Sequence, residues 1–255
     1  MGALTEYIFS HAVALNQSGR LKNEIFVHNR DVFILNSDNT VLLSFKLPSR
    51  EPTFKNPIAF SANDYDSENF REENGKIIFT QKNVAAGIVR TKTCSGVNKS
   101  FGDVEAIFKK FYRFDSDKMD SIRFVKNVLS SIEENLSHIE FSSENKRWKL
   151  IQRDIYTGSV IELRRDAGKT LGMDDRDSIK RDFSPIGIRT NDFVALFQFN
   201  EQVVFYFPPG ADGYCLVSGD TYDMKGVLGT CVYDEMGTLK IAKTKKGKIA
   251  NGRQK

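Results

Sequence analysis

The chain has 255 residues, enough for two domains that each bury a core of their own. Hydrophobic residues make up 40% and charged residues 27%, a globular balance that excludes a disordered or fibrous chain. The net charge of +4 is unevenly spread: residues 240–255 carry seven Lys or Arg and no acid, so the remaining body carries −3.

No apolar run approaches the roughly 18 residues a membrane span needs. Glu6 and His11 interrupt the first sixteen residues, so neither a secretory leader nor a membrane partner is expected. Cys94, Cys215 and Cys231 are odd in number and far apart, which fits a reducing compartment and no metal-ligand spacing.

In chain order, Ile8, Ala12 and Leu15 fall at helical spacing. Short strands are expected at Glu24–His28, Val32–Leu35 and Val41–Leu47, where Leu42 blurs the alternation of the last. A strand opening on Pro57-Ile58 leads to a short acidic helix over Asn63–Asn74, with Asp64, Asp66, Glu68, Glu72 and Glu73 against Arg71. Strands follow at Lys76–Thr80 and Ala86–Lys92, then a Gly, Ser, Asn and Lys-rich connector over Cys94–Asp103. Ala106–Phe114 reads as a strand. Met119, Ile122, Val125, Val128, Leu129 and Ile132 form a stripe at three- and four-residue intervals that predicts a helix, with Asp115, Ser116 or Asp117 as its cap. Further strands are expected at Ser137–Phe141, Trp148–Gln152 and Ser159–Leu163. A polar loop over Asp166–Asp182 and a strand on Pro185-Ile186 come next. A short helix from Asn191-Asp192 then precedes strands at Gln202–Phe207, Tyr214–Ser218 and Val227–Tyr233.

The two halves repeat. Pro57-Ile58-Ala59-Phe60-Ser61-Ala62-Asn63-Asp64-Tyr65 matches Pro185-Ile186-Gly187-Ile188-Arg189-Thr190-Asn191-Asp192-Phe193. Lys76–Phe79 then answers Gln202–Phe205, and Gly87–Val89 answers Cys215–Val217, at nearly constant offset. The expected class is α+β, two pseudo-repeated domains each with two helices on one face of antiparallel sheets. The boundaries are 1–93 for the first domain, 94–103 for the connector, 104–239 for the second domain and 240–255 for a basic flexible tail.

This organisation resembles the DNA sliding-clamp family, which includes proliferating cell nuclear antigen and the clamps of tailed bacteriophages. Local echoes are Val32-Phe33-Ile34-Leu35-Asn36-Ser37-Asp38-Asn39-Thr40-Val41-Leu42-Leu43, Phe114-Asp115-Ser116 leading into Ile122–Leu129, and Tyr222-Asp223-Met224-Lys225-Gly226-Val227-Leu228. The resemblance implies a DNA-clamp fold and a polymerase processivity factor that encircles duplex DNA without reading its sequence. Its partners would be a DNA polymerase and a clamp loader, its assembly a homotrimer and its location the cytoplasm, the host's if the chain is viral. No cofactor or catalysis is implied. The DNA-facing cations would be Arg20, Lys22, Lys118, Arg123 and Lys126, meeting phosphates through salt-sensitive contacts. Val41, Leu43, Val232 and Tyr233 would line a pocket for a partner peptide beneath the connector.

Enzyme signatures are weak. Gly168-Lys169-Thr170 ends like a phosphate-binding loop, but Leu163 stands where that loop needs its first glycine. Asp174, Asp175 and Asp177 match no calcium-loop spacing, and His11, His28 and His138 form no metal or triad pattern with the cysteines. Two other classes remain open: a β-rich viral structural or assembly protein, and a metal-dependent nuclease with dispersed residues.

Overall fold

A computed structural model describes residues 3–12, 23–36, 39–51, 53–62, 70–73, 76–83, 88–93, 99–115, 117–145, 147–153, 160–164, 183–209, 213–233 and 239–241. The first half supplies helix α1 (Ala3–His11) and strands β1 (Glu24–Asn29), β2 (Asp31–Leu35), β3 (Val41–Lys46) and β4 (Phe54–Ser61). It also supplies β5 (Phe70–Glu73), β6 (Lys76–Asn83) and β7 (Ile88–Thr93), which form a three-stranded sheet of their own. Helix α2 (Phe101–Phe111), β8 (Asp120–Val125) and a 3-10 helix over Lys126–Ser131 come next. The second half continues with β9 (His138–Glu144), β10 (Arg147–Arg153), β11 (Val160–Arg164) and β12 (Phe183–Arg189). It closes with α3 (Thr190–Phe199), β13 (Gln202–Phe207), β14 (Tyr214–Gly219), β15 (Lys225–Gly229), β16 (Cys231–Tyr233) and β17 (Leu239–Ile241).

The repeat read from the sequence is visible in the strand order. One sheet runs β4-β1-β2-β3 and another begins β11-β10-β9-β12, so β1–β4 and β9–β12 are arranged alike. Both first hairpins turn on an asparagine with left-handed backbone, Asn29 at φ 53° and Asn145 at φ 54°. Two-residue hairpin turns demand that conformation, and asparagine adopts it more readily than other side chains. The two halves are joined in one eight-stranded sheet, β4-β1-β2-β3-β15-β14-β13-β8, through antiparallel pairing of β3 with β15. A side chain at Gly226, opposite Leu43, would place its Cβ 2.6 Å from the Leu43 side chain and 2.7 Å from that of Val217. Glycine is what allows the two halves to close here.

The large sheet is covered on both faces. On one face, Ile25, Val27, Val32, Ile34, Val41 and Leu43 join α1, α3 and the second sheet in one continuous core. Its centre is aromatic: Phe193 on α3 lies 5.6 Å from Phe124, 6.1 Å from Phe141 and 5.3 Å from Phe205, ring to ring. On the other face, Phe26, Phe33, Leu35, Leu42, Leu216 and Val227 meet Phe101, Val104 and Phe108 of α2. Burial on both faces explains why β1–β3 read as nearly unbroken apolar runs and why Leu42 blurred the alternation.

Three expectations change. The 106–114 segment is helical through Phe111, because Phe101, Val104 and Phe108 recur at helical spacing and Ser100 and Asp103 close a capping box at its start. The 119–132 stripe is not a helix: Asp120–Val125 pairs with β13 along its whole length, and only Lys126–Ser131 coils, as a 3-10 turn. There the alternating burial of Asp120, Ile122 and Phe124 prevails over the helical spacing of Met119, Ile122 and Val125. Phe70–Glu73, expected at the end of the acidic helix, forms β5, while residues 63–69 lie outside the described residues. The second repeat's short helix is present as α3, but Arg189 occupies its N-cap and Asp192 falls in its first turn.

Candidate functional site

The two covered faces of the large sheet carry different surfaces. On the first, α1 and α3 meet at the junction of the halves: the Tyr7 hydroxyl donates to the Gln198 carbonyl at 2.6 Å, and His11 and Phe199 are ring neighbours at 6.2 Å. Phe199 also packs on Phe45 of β3. Lys126 borders this junction: its Nζ lies 3.2 Å from Glu201, and its charge is felt at the Tyr7 phenol, whose pKa burial pushes up. Neither α1 nor α3 contains a lysine or arginine.

The expected DNA-facing cations are not on one helix. Arg123 lies within β8 and reaches Gln202 at 3.4 Å, Lys126 begins the 3-10 turn, and Lys118 pairs with Asp115 at 2.8 Å before β8. Lys118 and Lys126 therefore flank opposite ends of β8, on the order of 20 Å apart at strand rise. Met119, beside Lys118, packs in the α2 cluster, whereas Lys126 borders the α1–α3 junction. Arg20 and Lys22 lie outside the described residues.

On the second face α2 crosses the junction. Phe101 packs against His28 and Phe33 in the first half, and Phe111 against Tyr214 in the second. Beneath and beside the helix is a cavity of about 320 Å³. Leu35, Leu42 and Val227 form its floor, Val104, Ile107 and Phe111 one wall, and Asn39, Thr40, Gly213 and Gly229 a polar end. Ile107 is 37% exposed at its mouth, and Phe114, 47% exposed, continues the apolar surface toward Tyr206 at 4.8 Å between rings. Such a concave, mostly apolar site with a few polar groups at one end suits a small set of anchoring side chains.

The expected pocket residues are placed differently. Val41 and Leu43 are fully buried in the core on the α1–α3 face, and Leu42 between them faces the cavity. Successive side chains of a strand point to opposite faces, so a displacement by one residue exchanges the two environments. Val232 and Tyr233 lie on β16, in the second sheet between β12 and β17. Reading the sequence missed α2 as a wall, although Phe101, Val104 and Phe108 at helical spacing after Ser100 were the available signal.

The polar end is held from across the junction. The Asn36 side-chain oxygen accepts from the amides of Thr40 and Val41 at 2.8 and 2.9 Å, shaping the turn between β2 and β3. The Thr40 carbonyl accepts from the Gly229 amide at 2.6 Å, and Lys99, just before α2, donates to Asn39 at 2.9 Å. From the second half, Arg189 donates through Nη2 to the Thr40 hydroxyl and through Nε to Asp192 at 2.8 Å.

Among the described residues no group of three or more His, Cys, Asp or Glu side chains is placed to hold a metal ion, and no helix is long and apolar enough to cross a membrane. Cys215 is a free, fully buried thiol whose pKa burial pushes up.

No family model and no curated protein matches the chain by sequence. Solved structures do match in fold. The PCNA2–PCNA3 complex from Sulfolobus tokodaii aligns at a TM-score of 0.54 and 13% identity, over 89% of this chain and 95% of that one. The DNA polymerase sliding clamp from Caulobacter crescentus aligns at 0.56 and 14% identity, over 89% of this chain. The DNA polymerase III subunit beta from Pseudomonas aeruginosa aligns at 0.53 and 14%, over 85% of this chain. This chain spans 63% and 60% of the length of those two bacterial proteins. The chain has the sliding-clamp fold, an α+β arrangement of antiparallel sheets with few helices.

Proposed function

We propose that this chain is the subunit of a ring-shaped DNA polymerase processivity factor, a homotrimer in which six repeats surround duplex DNA. The observation that carries the reading is the repeated strand order within a clamp fold. In the first half, the outer side of β3 is taken by β15. Its counterpart in the second half, β11, is paired among the described residues only with β10, and Val160 on it is 51% exposed. A second copy presenting the three-stranded β5–β7 sheet to β11 repeats the internal junction head to tail, and such a contact closes into a ring when its rotation permits. Closure also removes the open sheet edges that would otherwise invite aggregation.

The ring holds DNA by topology and needs no catalytic group. The α1–α3 face is assigned to the hole, with Lys126, and Arg20 and Lys22 where the chain brings them there, as nonspecific phosphate contacts. Arg123 alternates with Ile122 and Phe124 of the α1–α3 core and so points to the α2 face, and Lys118 lies at the other end of β8; these two are the least supported of the five cations. The cavity beside α2 is assigned to a short peptide of the polymerase or of the clamp loader.

The test joins solution mass to polymerase activity. A trimer near three times the 28.9 kDa subunit mass, together with longer products from the cognate polymerase, is the expected result. Replacing Lys126 by Glu is expected to shorten those products without changing the mass. A monomer at micromolar concentration that leaves product length unchanged would sink the reading, and a ring with no effect on synthesis would favour a structural assembly protein instead.

A further inference from the structure

We infer that Arg189 is a positioning residue for the cavity beside α2: acting through Thr40, it fixes the polar end of that cavity from the opposite half of the chain. This inference rests on the reading of the cavity as a peptide-docking site.

Arg189 is the last residue of β12 and the N-cap of α3, so its backbone is fixed by a strand on one side and a helix on the other. Its guanidinium grips Asp192 in two-pronged fashion, Nε to Oδ2 at 2.8 Å and Nη2 to Oδ1 at 3.3 Å. The Asp192 side chain is only 4% exposed, so the paired guanidinium is what makes its burial tolerable. The same Nη2 donates to the Thr40 hydroxyl, and that hydroxyl also lies 3.5 Å from Asp192 Oδ2. One ion pair on α3 thus clamps one hydroxyl on the β2–β3 turn.

Thr40 is where the cavity's polar end is built. Its hydroxyl accepts from the Asn36 side-chain amide at 3.0 Å, and its carbonyl accepts from Gly229, which also lines the cavity. Asn39, beside it, holds a left-handed backbone at φ 57° and takes the Lys99 ammonium. A turn with strained backbone and short polar side chains keeps its shape only where its surroundings hold it. Here the surroundings include α3, a helix of the opposite face. The cavity therefore has a wall whose position depends on how the two halves are set against each other, and Arg189 is the link.

The test uses the full chain and fluorescein-labelled peptides tiled across the cognate polymerase, with binding followed by anisotropy. Four variants are compared: Arg189→Ala, Arg189→Lys, Thr40→Val and Leu42→Glu. Amide exchange at Gly229, whose N–H bonds to the Thr40 carbonyl, is read in the absence of peptide. The expectation is that Leu42→Glu abolishes binding, while Arg189→Ala and Thr40→Val each weaken it about tenfold. Exchange at Gly229 should accelerate by a similar factor in these two, with solution mass unchanged and Arg189→Lys recovering part of both effects. If Arg189→Ala fails to fold, Thr40→Val, which keeps the side-chain shape and removes the hydroxyl, carries the test alone. Wild-type binding that Leu42→Glu abolishes, but that Thr40→Val and Arg189→Ala leave within about twofold, overturns the positioning role and spares the docking site. If no peptide binds the wild type, or Leu42→Glu binds as well as wild type, the docking reading fails; the Gly229 exchange then still shows whether Arg189 fixes the turn.

Discussion

Truncating two adjacent leucines on one strand should give two different proteins. Leu43 is completely buried between the large sheet and the core shared with α1 and α3, and it fills the space left by Gly226 opposite. Leu43→Ala leaves a closed void there, and such truncations cost about 3–5 kcal/mol. Leu42 is 5% exposed in the α2 cluster and already borders the cavity of about 320 Å³. Leu42→Ala enlarges an existing space and loses mainly the transfer energy of the three removed carbons, about 2 kcal/mol. The assay is urea unfolding of each full-length variant beside peptide binding by anisotropy. Leu43→Ala should move the unfolding midpoint far more while leaving peptide affinity near wild type; Leu42→Ala should move it little and weaken the peptide. Equal midpoints, or a peptide effect confined to Leu43→Ala, would refute the assignment of the two faces.

Gly226→Val should part β3 from β15, because its side chain would occupy the space of Leu43 and Val217; loss of cooperative unfolding is the readout, and a wild-type midpoint would contradict the junction. Val160→Lys, at the exposed β11 edge, should yield a folded monomer by analytical ultracentrifugation, because an edge lysine blocks strand addition; an unchanged assembly would remove β11 from the interface. The Asp103 carboxyl is held below its usual pKa by hydrogen bonds from the Ser100 hydroxyl and amide. Its contribution to α2 is therefore present above the ordinary carboxylate pKa and is lost as pH falls through the lowered one. Protection factors of the α2 amides, corrected for the pH dependence of intrinsic exchange, should fall on acidification below about pH 4, with a weaker pH response in Ser100→Ala; an equal response in both would contradict the capping box.

Much of this fold was legible because the local rules agreed with it. β1, β2, β13 and β14 carry β-branched and aromatic runs between turn residues, and they fall where the sequence placed them. The Pro-Ile repeat marks β4 and β12, which occupy corresponding positions beside β1 and β9. The failures have a common physical origin. In short segments helical and strand spacings coincide, and partners distant in sequence decide between them. Asp120–Val125 satisfies a helical stripe until β13 is available to pair with it, and Ala106–Phe111 has strand-like composition until the large sheet offers α2 an apolar face.

The side of β3 that borders the cavity was not legible in the same way. Val41 and Leu43 are expected at the pocket from the family resemblance, by position alone, and which face of β3 borders a cavity depends on α2, about 60 residues away in the chain: α2 covers the side of Leu42, while Val41 and Leu43 enter the core with α1 and α3. The Arg189–Asp192–Thr40 link joins residues about 150 positions apart, and no spacing rule reaches that far.

The most direct test of the central claim is retention on closed DNA. The protein is assembled on a nicked circular plasmid with its cognate loader, freed of unbound protein at high salt, and the plasmid is then cut once. An encircling ring should stay on the circle through the salt wash, because its hold is topological, and leave promptly after the cut by sliding off the ends. Release from the intact circle by salt, at the same rate as from the linear form, would contradict encirclement.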